Sequence, residues 1–538
     1  MPTLNWIGKE AVVNHHKEVP FHLLRADPQR SVGEDSGNLL VQGDNLLALK
    51  ALLPHYAGQV KCIYIDPPYN TGNESWVYND AVNSPEMRDW LGKVVGGEAE
   101  DLSRHDKWLC MMYPRMKLLV QFLKPDGFLL VSLDEIEVAR FRLMMEEILS
   151  PSSYIATLIW KSRRNLDNRS LHNVSIDHEF VVAYRMGVGS FRGASKDMGK
   201  YSNPDNDPRG PWMSDNLVGL ATKERRPNLH YDLVNPATGD IYPCSPKGWR
   251  YSEETMAQKI AEGRIIWPKS KKWRPRHKKF SSDLQSEFAG FSSFVECGNT
   301  NEGTEEMMKI MGQEQFIFPK PRSLLETLLE QTASSTDIVL DAFAGTGTTG
   351  HAVLSINKTD DGNRHFILIE IDKNVCQNIT AERLKRAAQG YTYKDQKGNE
   401  KQEAGLGVGF RYCELGETLF DAQGQIRKEV TFEDLARHVY FIETGQPLPQ
   451  TSEVFETSEV SSPWLGVHNG MAVYLLYNGI LKDKSAGGGN VLTRAVLASL
   501  PAHDGPKVIY GNGTLFSESK LRELGITFRQ VPYEIKIT

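Results

Sequence analysis

The chain has 538 residues, of which 40% are hydrophobic and 24% are charged, the ordinary composition of a folded globular protein. This composition excludes collagen-like, disulfide-rich and largely disordered chains, and at about 100 to 200 residues per domain the length predicts three or four domains. With 62 Lys and Arg against 68 Asp and Glu, the net charge of −6 gives no overall indication of nucleic-acid binding, so any such surface has to be local.

The first third of the chain predicts an α/β domain behind a short arm. Residues 1–37 are polar and irregular, and we interpret them as an N-terminal arm. Strands are predicted at 39–41, 60–66, 128–133, 154–160 and 179–184, helices at 48–53, 108–123 and 135–149, and a turn at 125–127. Because strands alternate with helices, residues 38–186 predict a parallel sheet.

The middle of the chain interrupts this alternation, which then resumes. Residues 187–316 are rich in Gly, Pro, Trp and basic residues, which is typical of an inserted segment. Helices are then predicted at 324–329, from 348 onward and at 374–388, and strands at 337–341 and 365–370. We expect one doubly wound α/β domain split by an insertion, then a polar linker at 391–410 and a C-terminal domain at 411–538.

Cysteine spacing and hydropathy indicate the cellular setting. The six cysteines have neither metal-site nor disulfide-framework spacing. No window approaches 18 uninterrupted apolar residues, and the N-terminus lacks the pattern of a signal peptide. We therefore expect a cytoplasmic protein that does not span a membrane.

The first chemical motif is Asp66-Pro67-Pro68-Tyr69, directly after a predicted buried strand. Prolines donate no N–H and fix the backbone, so this loop offers a carboxylate, carbonyl acceptors and an aromatic face. The amino group of a nucleobase is a poor nucleophile, because its lone pair is delocalised into the ring. If Asp66 and the Pro67 carbonyl each accept one N–H, that lone pair is freed for attack, while Tyr69 stacks on a base rotated out of the duplex. The alternative is a proline turn that only ends the strand.

The second motif runs from Asp341 through Phe343, Gly345 and Gly347 into a predicted helix. Glycines in such a turn let the backbone approach a cofactor closely. The next strand ends at Glu370, where an acid can accept both ribose hydroxyls of a nucleoside. Since no Lys follows the glycines, this is not a phosphate-binding Walker loop, and S-adenosylmethionine is favoured over ATP.

The order of these motifs resembles the β group of DNA adenine-N6 methyltransferases, and more narrowly the modification subunits of type III restriction–modification systems. Further matches are Gly43-Asp44-Asn45-Leu46, His178-Glu179 and Phe318-Pro319-Lys320-Pro321, and the resemblance covers most of residues 38–390. It implies a Rossmann-like S-adenosylmethionine-dependent methyltransferase sheet. Residues 38–186 are then the catalytic half, 187–316 the target-recognition insertion, 317–390 the cofactor-binding half, and 411–538 an interaction or dimerisation region.

The same resemblance implies roles for individual residues. Asp66, Pro67, Pro68 and Tyr69 are expected to be catalytic, and the cofactor pocket is expected to contain Asp44, Asn45, Phe318, Asp341, Phe343, Gly345, Gly347 and Glu370. Asp44 and Asp341 can instead be simple cap or turn residues. Asp as the first residue of the tetrapeptide favours adenine over cytosine as a family tendency.

The implied partners are double-stranded DNA with a flipped adenine, an ATP-dependent restriction subunit and a second copy of the chain, with no metal needed. One alternative is a DNA-specificity subunit whose methylase site is dispensable. Another is a stand-alone methylase acting on cytosine N4. Methylation of RNA or of a protein glutamine is a further alternative.

A basic run lies within the insertion. Its members are Lys269, Lys271, Lys272, Arg274, Arg276, Lys278 and Lys279, with no acid among them and with Trp267, Trp273 and Phe280 interleaved or adjacent. Single-sign charge with aromatic residues between the charges suits phosphate contact and base stacking. A solvated surface without a partner is the alternative.

Overall fold

The computed structural model describes residues 4–33, 37–70, 92, 104–167, 173–270, 272–312, 319–395, 397–449, 462–477 and 489–531. Phe318 and Lys271, for which the sequence predicts roles, lie outside these ranges. The chain forms two compact units, one made of Met1–Phe191 with Ser292–Thr538 and the other of Arg192–Phe291. No described helix is long and apolar enough to cross a membrane.

Before the insertion, the described residues of the larger unit form the following strands and helices. The strands are β1 (His22–Ala26), β2 (Leu39–Gln42), β3 (Val60–Ile65), β4 (Leu123–Leu133), β5 (Tyr154–Trp160) and β6 (Glu179–Arg185). The helices are α1 (Lys9–Val12), α2 (His15–Glu18), α3 (Asn45–Tyr56), α4 (Arg104–Phe122) and α5 (Val138–Ile148). The strands predicted here are confirmed. The turn predicted at 125–127 falls inside β4, where the register with β3 shifts between Leu123 and Phe128.

The smaller unit contains β7 (Ala194–Ser195), β8 (Trp212–Asp215), β9 (Leu233–Val234), β10 (Ile241–Tyr242), α6 (Glu253–Ala261), β11 (Ile265–Ile266), β12 (Arg276–Phe280) and β13 (Phe288–Ala289). Strands β11, β12 and β8 form an antiparallel sheet. Leu217, Trp249 and Met256 are among the residues of a buried core in this unit. The segment therefore has a hydrophobic core of its own.

After the insertion, the larger unit continues with strands on both sides of a helical stretch. The strands are β14 (Phe294–Val295), β15 (Ile338–Asp341), β16 (His365–Glu370), β17 (Gly390–Lys394), β18 (Glu400–Ala404), β19 (Arg411–Thr418), β20 (Trp464–His468), β21 (Met471–Leu475), β22 (Val491–Leu492), β23 (Lys507–Gly511), β24 (Gly513–Thr514) and β25 (Ile526–Gln530). The helices are α7 (Thr300–Met311), α8 (Arg322–Thr332), α9 (Thr348–Asp360), α10 (Lys373–Val375), α11 (Ala381–Gln389), α12 (Phe432–Thr444), α13 (Arg494–Ser499) and α14 (Glu518–Glu523). A π-helical segment, Cys376–Thr380, joins α10 to α11.

A ten-stranded sheet organises the larger unit, in the order β1-β19-β2-β16-β15-β3-β4-β6-β5-β14. From β19 to β4 all neighbouring strands pair in parallel. Strand β3 is buried along nearly its whole length, as expected for a parallel strand covered on both faces. Connections from β2 through α3 to β3 and from β15 through α9 to β16 run in opposite directions along the sheet. Because such crossovers are right-handed, α3 and α9 lie on opposite faces, which confirms the doubly wound fold.

Three predicted segments differ from the structure. Residues 1–37 are not an irregular arm, because α1 packs on α4 and β1 pairs with β19 at the sheet edge. The predicted linker 391–410 contains the antiparallel hairpin of β17 and β18, whose mostly exposed side chains hide a strand pattern. The C-terminal region 411–538 begins with β19, which is a strand of the central sheet. The predicted boundary at 411 therefore does not separate two domains.

The boundaries of the insertion are also narrower than the predicted 187–316. The smaller unit covers only Arg192–Phe291. Strand β14 pairs in parallel with β5, and α7 packs against α11. Residues 292–312 therefore belong to the larger unit, because β14 extends its sheet and the apolar side chains of α7 pack against Val375 and Ile379.

Candidate active site

The carboxyl ends of β3 and β15 lie side by side in the middle of the sheet. The two strands pair in parallel, with Leu340 opposite Ile63, so the loops after them emerge at the same edge. From this point the chain runs through α9 to β16 on one side and through α4 to β4 on the other. Ligands of doubly wound sheets bind at such a switch point.

Asp66, Pro67, Pro68 and Tyr69 form the loop that follows β3, at the place that the sequence predicts. The indole Nε1 of Trp108 in α4 donates a hydrogen bond of 2.7 Å to the Pro68 carbonyl. The acceptor role predicted for the Pro67 carbonyl does not compete with this bond. Trp108 is fully buried and therefore fixes the loop against the helix.

Asn70 fastens the far end of the same loop. It is buried and has a φ of 61°, a left-handed conformation that Asn tolerates better than most residues. Its amide nitrogen donates to Glu137 Oε1 at 2.5 Å and to the Arg104 carbonyl at 3.2 Å. Glu137 is fully buried and also contacts His105 Nδ1 at 2.6 Å. The sequence does not predict a role for Glu137. Its local sequence is that of an ordinary acidic residue at the start of a helix.

The Lys320 ammonium joins the tetrapeptide loop to β6. Its Nζ is 2.9 Å from Asp66 Oδ2 and 3.2 Å from Glu179 Oε2, and it donates to the Tyr69 hydroxyl at 2.8 Å. The Tyr69 hydroxyl donates in turn to Glu179 Oε2 at 2.8 Å. Asp66 Oδ1 is buried and has no hydrogen-bond partner among the described residues. One oxygen of Asp66 is thus bound to Lys320, and the other is a buried acceptor without a described partner.

Burial and charge set the protonation of this cluster. Burial raises the pKa of Asp66, and the Lys320 ammonium opposes that rise. Burial and then the Asp66 carboxylate raise the pKa of Tyr69 well above its usual range. Burial alone would lower the pKa of Lys320, but Asp66 and Glu179 raise it above its ordinary value. Lys320 is therefore cationic and Tyr69 neutral at neutral pH, beside two carboxyl groups.

The loop after β15 requires glycine at two positions. Gly345 and Gly347 have φ values of 51° and 77°, in the left-handed region that side chains disfavour. A Cβ atom on Gly347 would lie 3.0 Å from the Thr380 methyl carbon. Phe343, between Asp341 and Gly345, is partly buried against the main core. The loop therefore exposes backbone rather than side chains, as the sequence predicts for a cofactor-binding turn.

Glu370 ends β16 and holds this glycine loop. It is 1% exposed, and its Oε2 accepts from the Gly345 amide at 2.9 Å, while Oε1 accepts from the Asp372 amide at 2.8 Å. A carboxylate oxygen can accept more than one hydrogen bond. The contact with ribose hydroxyls remains a prediction, and the structure adds a role in shaping the loop.

Asp341 serves as a cap for the same loop. Its carboxylate accepts from the Phe343 amide at 2.9 Å and from the Thr349 hydroxyl at 2.5 Å. Burial raises its pKa to about 7. These contacts match the cap role that the sequence left as an alternative.

The Asp44-Asn45 pair supports the site from the start of α3. Asp44 caps this helix by accepting from the Leu46 amide at 2.7 Å. Asn45 donates to the Ala342 carbonyl at 2.9 Å and accepts from the buried Arg115 at 2.5 Å. Asn45 therefore holds the loop after β15 in place, and its predicted contact with the cofactor stays a prediction.

A buried arginine that the sequence analysis missed anchors the other side of the glycine loop. Arg383 of α11 donates to the hydroxyls of Thr346 and Thr348 at 2.9 and 2.8 Å and to Glu306 of α7 at 2.8 Å. Its side chain is fully buried. An arginine on the apolar face of a helix was the available signal, but its partners come from distant segments.

In the smaller unit, the predicted DNA contacts fall into two groups. Lys269, Lys272 and Arg274 lie in the loop between β11 and β12, are exposed, and have no described acid within ion-pair distance. In contrast, the Lys278 ammonium pairs with Asp205 and, at 3.2 Å, with Asp207.

The remaining members of the basic run have contacts or burial of their own. Arg276 donates to the Ser214 hydroxyl at 2.6 Å, and Lys279 is half-buried. Of the aromatic residues, Trp273 is 72% exposed, whereas Phe280 is fully buried and Trp267 packs on Tyr242. Within this run, the described basic residues without an ion pair to a described acid and with exposed side chains are those of the loop between β11 and β12.

No three described His, Cys, Asp or Glu side chains cluster so that they could hold a metal ion.

Comparison with known proteins identifies the family. The sequence pattern of the DNA methylase family N6_N4_Mtase matches residues 60–382, which include the tetrapeptide, the glycine loop and the inserted unit. The chain belongs to this DNA methylase family. The resemblance predicted from the motifs is thereby confirmed.

Several relatives of this DNA methylase are subunits of type III restriction–modification enzymes. The StyLTI Mod subunit of Salmonella typhimurium is 30% identical over 74% of this chain and 62% of its own length. The EcoP15I Mod subunit of Escherichia coli is 27% identical over 72% of this chain and 69% of its own length. The EcoPI Mod subunit of Escherichia phage P1 is 28% identical over 82% of this chain and 74% of its own length. The chain thus covers less than two thirds of the first of these relatives.

Proposed function

We propose that this DNA methylase transfers a methyl group from S-adenosylmethionine to N6 of adenine in a short DNA sequence, as the modification subunit of a type III restriction–modification system. The observation that carries the proposal is Asp66 Oδ1, a buried acceptor without a described partner. It follows β3, next to the glycine loop that follows β15. An open acceptor there suits an amino group, which has N–H bonds to donate.

The residues of the glycine loop fit a nucleoside cofactor. Gly345 and Gly347 hold the backbone in left-handed conformations that keep side chains out of the loop, and Glu370 offers a carboxylate beside it. Phe343, Gly345, Gly347 and Glu370 would hold S-adenosylmethionine, with Phe318 from the segment before α8. When bound, this cofactor supplies a methyl group on a sulfonium that is already activated for transfer.

The chain's own residues orient the amine and free its lone pair. Asp66 Oδ1 and the Pro67 carbonyl accept the two N–H bonds of the amino group, which draws the lone pair out of conjugation with the ring. Tyr69 offers its aromatic face to the flipped base, since its hydroxyl is held by Lys320 and Glu179. Accurate placement of the reacting groups supplies a large part of the rate, because it removes the entropy cost of aligning them.

Adenine is favoured over cytosine by the Asp at the first position of the tetrapeptide. The family pattern covers both N6 and N4 methylases, so cytosine N4 is the second candidate. Both bases present an exocyclic amine to the same acceptors. Nucleoside analysis separates the two products directly.

Target recognition is proposed for the smaller unit, with the loop between β11 and β12 in contact with phosphates. An ATP-dependent restriction subunit is proposed as the partner, from the likeness to the Mod subunits. A homodimer is proposed through the C-terminal region. If the methylase site were dispensable, the chain would instead act as a specificity subunit.

The test is methyl transfer by the purified protein. The chain is incubated with radiolabelled S-adenosylmethionine and DNA from a host lacking this gene, and the digested nucleosides are separated by mass spectrometry. N6-methyladenine is expected with the wild type and not with Asp66→Ala, the matched control. N4-methylcytosine would establish the second candidate. Wild-type protein that binds DNA but leaves no methylated nucleoside would favour the specificity subunit.

A further inference from the structure

Lys320 contacts both the tetrapeptide loop and β6, although the sequence predicts no role for it. It lies in the segment between α7 and α8, next to Pro319 and Pro321, and its side chain is 10% exposed. Its ammonium contacts Asp66, Glu179 and the Tyr69 hydroxyl within 3.2 Å. These contacts use the three donors that an ammonium has.

The position of Glu179 explains how the ammonium is held. Strand β6 is antiparallel to β4, with Phe180 opposite Leu133, so the start of β6 lies at the carboxyl edge of the sheet. Glu179 is the first residue of β6, and its Oε2 lies 3.2 Å from Lys320 Nζ. With Lys320 held between two carboxylates, Asp66 Oδ2 is fixed and the carboxyl group cannot turn freely. Oδ1 is left as a buried acceptor without a described hydrogen-bond partner.

We propose that Lys320 is a positioning residue for methyl transfer: held by Glu179, its ammonium fixes Asp66 Oδ2 and the Tyr69 hydroxyl, so that Asp66 Oδ1 meets the amine as an ionised acceptor. The inference rests on the proposed methyltransferase function. It adds a buried charge pair, supplied by segments far apart in the chain, to the tetrapeptide. Lys320 itself does not have to touch the substrate.

Lys320 and Glu179 carry opposite charges beside Asp66. Replacing each of them should therefore shift the pH dependence of turnover in opposite directions. Asp66 acts on the substrate amine as an ionised hydrogen-bond acceptor. Turnover should therefore fall as the pH drops through the pKa of Asp66. Lys320 lowers that pKa and Glu179 raises it. Lys320→Met should therefore move the acid limb of the kcat profile to higher pH, and Glu179→Gln should move it to lower pH.

The other groups that face Asp66 are the same in both variants. They are Tyr64 of β3, Tyr69 of the loop, and Asp341 at the end of β15, whose pKa burial raises to about 7. Their titration is common to all three proteins. A difference between the acid limbs of the kcat profiles of these proteins then reports the effect of the charge that was removed.

The kinetic constants of Lys320→Met distinguish a positioning role from a merely structural one. At neutral pH, Lys320→Met should lower kcat by up to about 10²-fold, the cost of misplacing a reacting group by about 1 Å. KM for DNA and the calorimetric affinity for S-adenosylmethionine should stay near wild type. Lys124→Met is the matched control, because it removes an ion pair of 2.6 Å with Asp337 at the opposite edge of the same strands. It should leave the acid limb in place.

A second measurement does not depend on activity. Removing Lys320 leaves the Asp66 carboxylate without its neighbouring cation, so the loss of thermal stability in Lys320→Met should grow as pH rises through the titration range of Asp66. In an Asp66→Asn background this growth should be smaller. Should Lys320→Met fail to fold, Glu179→Gln decides alone, and its limb must move to lower pH.

The outcomes separate the inference from the proposed function. A wild type without methyl transfer contradicts the function itself. An active wild type whose acid limb stays in place in both variants, or moves in the same direction in both, overturns the role of Lys320 and leaves the methyltransferase function standing.

Discussion

Replacing Asp66 by Asn should harm catalysis at least as much as replacing it by Ala, although Asn has nearly the same shape. The Lys320 ammonium lies 2.9 Å from Asp66 Oδ2 and only donates hydrogen bonds. An amide at position 66 must therefore turn its oxygen toward Lys320 and its NH2 group into the place of Oδ1. The open acceptor becomes a donor that faces the donors of the substrate amine.

The size of the effect follows from the bonds lost. A hydrogen bond to a charged group contributes about 1.5–3 kcal/mol, and losing it leaves a substrate N–H unpaired. At about 1.4 kcal/mol per tenfold, this amounts to roughly 10- to 150-fold, and the loss of charge extends it toward the 10² to 10⁴ of a positioned catalytic group. Asp66→Ala should fall in the same range.

The assay is single-turnover methyl transfer with saturating DNA and cofactor, with calorimetry of S-adenosylmethionine as the control for an intact pocket. In a Lys320→Met background the amide is no longer forced to turn, so the additional loss caused by Asp66→Asn should shrink, a non-additivity expected only for residues in contact. Turnover by Asp66→Asn within a factor of a few of wild type would refute the acceptor geometry. Equal losses in both backgrounds would refute the orientation by Lys320.

Three further predictions concern stacking, cofactor and DNA. Tyr69→Ala should weaken capture of the flipped base by about 1–3 kcal/mol, visible as a higher KM for DNA, while Tyr69→Phe keeps the ring and loses less. Glu370→Ala and Gly347→Val should weaken S-adenosylmethionine in calorimetry, the first by about 1–3 kcal/mol; unchanged affinity in both would place the pocket elsewhere. Lys272→Ala should lower the salt dependence of DNA binding by up to about 0.9 log unit in slope, whereas Lys278→Ala should mainly lower thermal stability, because Lys278 is paired. The reverse result would make Lys278 the phosphate contact.

The central sheet could be predicted because its strands are long apolar runs. Strands β3 and β16 are buried on both faces, and each is followed by a turn or an acid that marks its end. Strands β1 and β19 were missed because β1 is the edge strand of the sheet and β19 lies next to it, where exposed polar residues break the pattern. The hairpin of β17 and β18 escaped for the same reason, since β18 is exposed throughout.

The candidate site was predicted only as far as its parts are local in sequence. The tetrapeptide and the glycine loop are contiguous, so their residue types and spacing point to their chemistry. Lys320 contacts the Tyr69 hydroxyl across 251 positions of chain, and no local pattern indicates that contact. In the basic run, the local sequence indicates free charge where the fold supplies a partner. It contains no acid in sequence, yet folding places Asp205 and Asp207 beside Lys278.

Pairing of β3 with β15 is the physical reason why the site tolerates an insertion between its halves. The two loops meet because their strands are neighbours in the sheet, and this adjacency does not depend on the length of chain between them. Loop-closure entropy grows only slowly with length, by about 0.6 kcal/mol for each doubling, so a segment with its own core can occupy the gap at small cost. Residues within Arg192–Phe291, the unit proposed to recognise the target, can then change while Asp66, Lys320 and Glu179 keep their distances, because every contact among these three is made inside the larger unit.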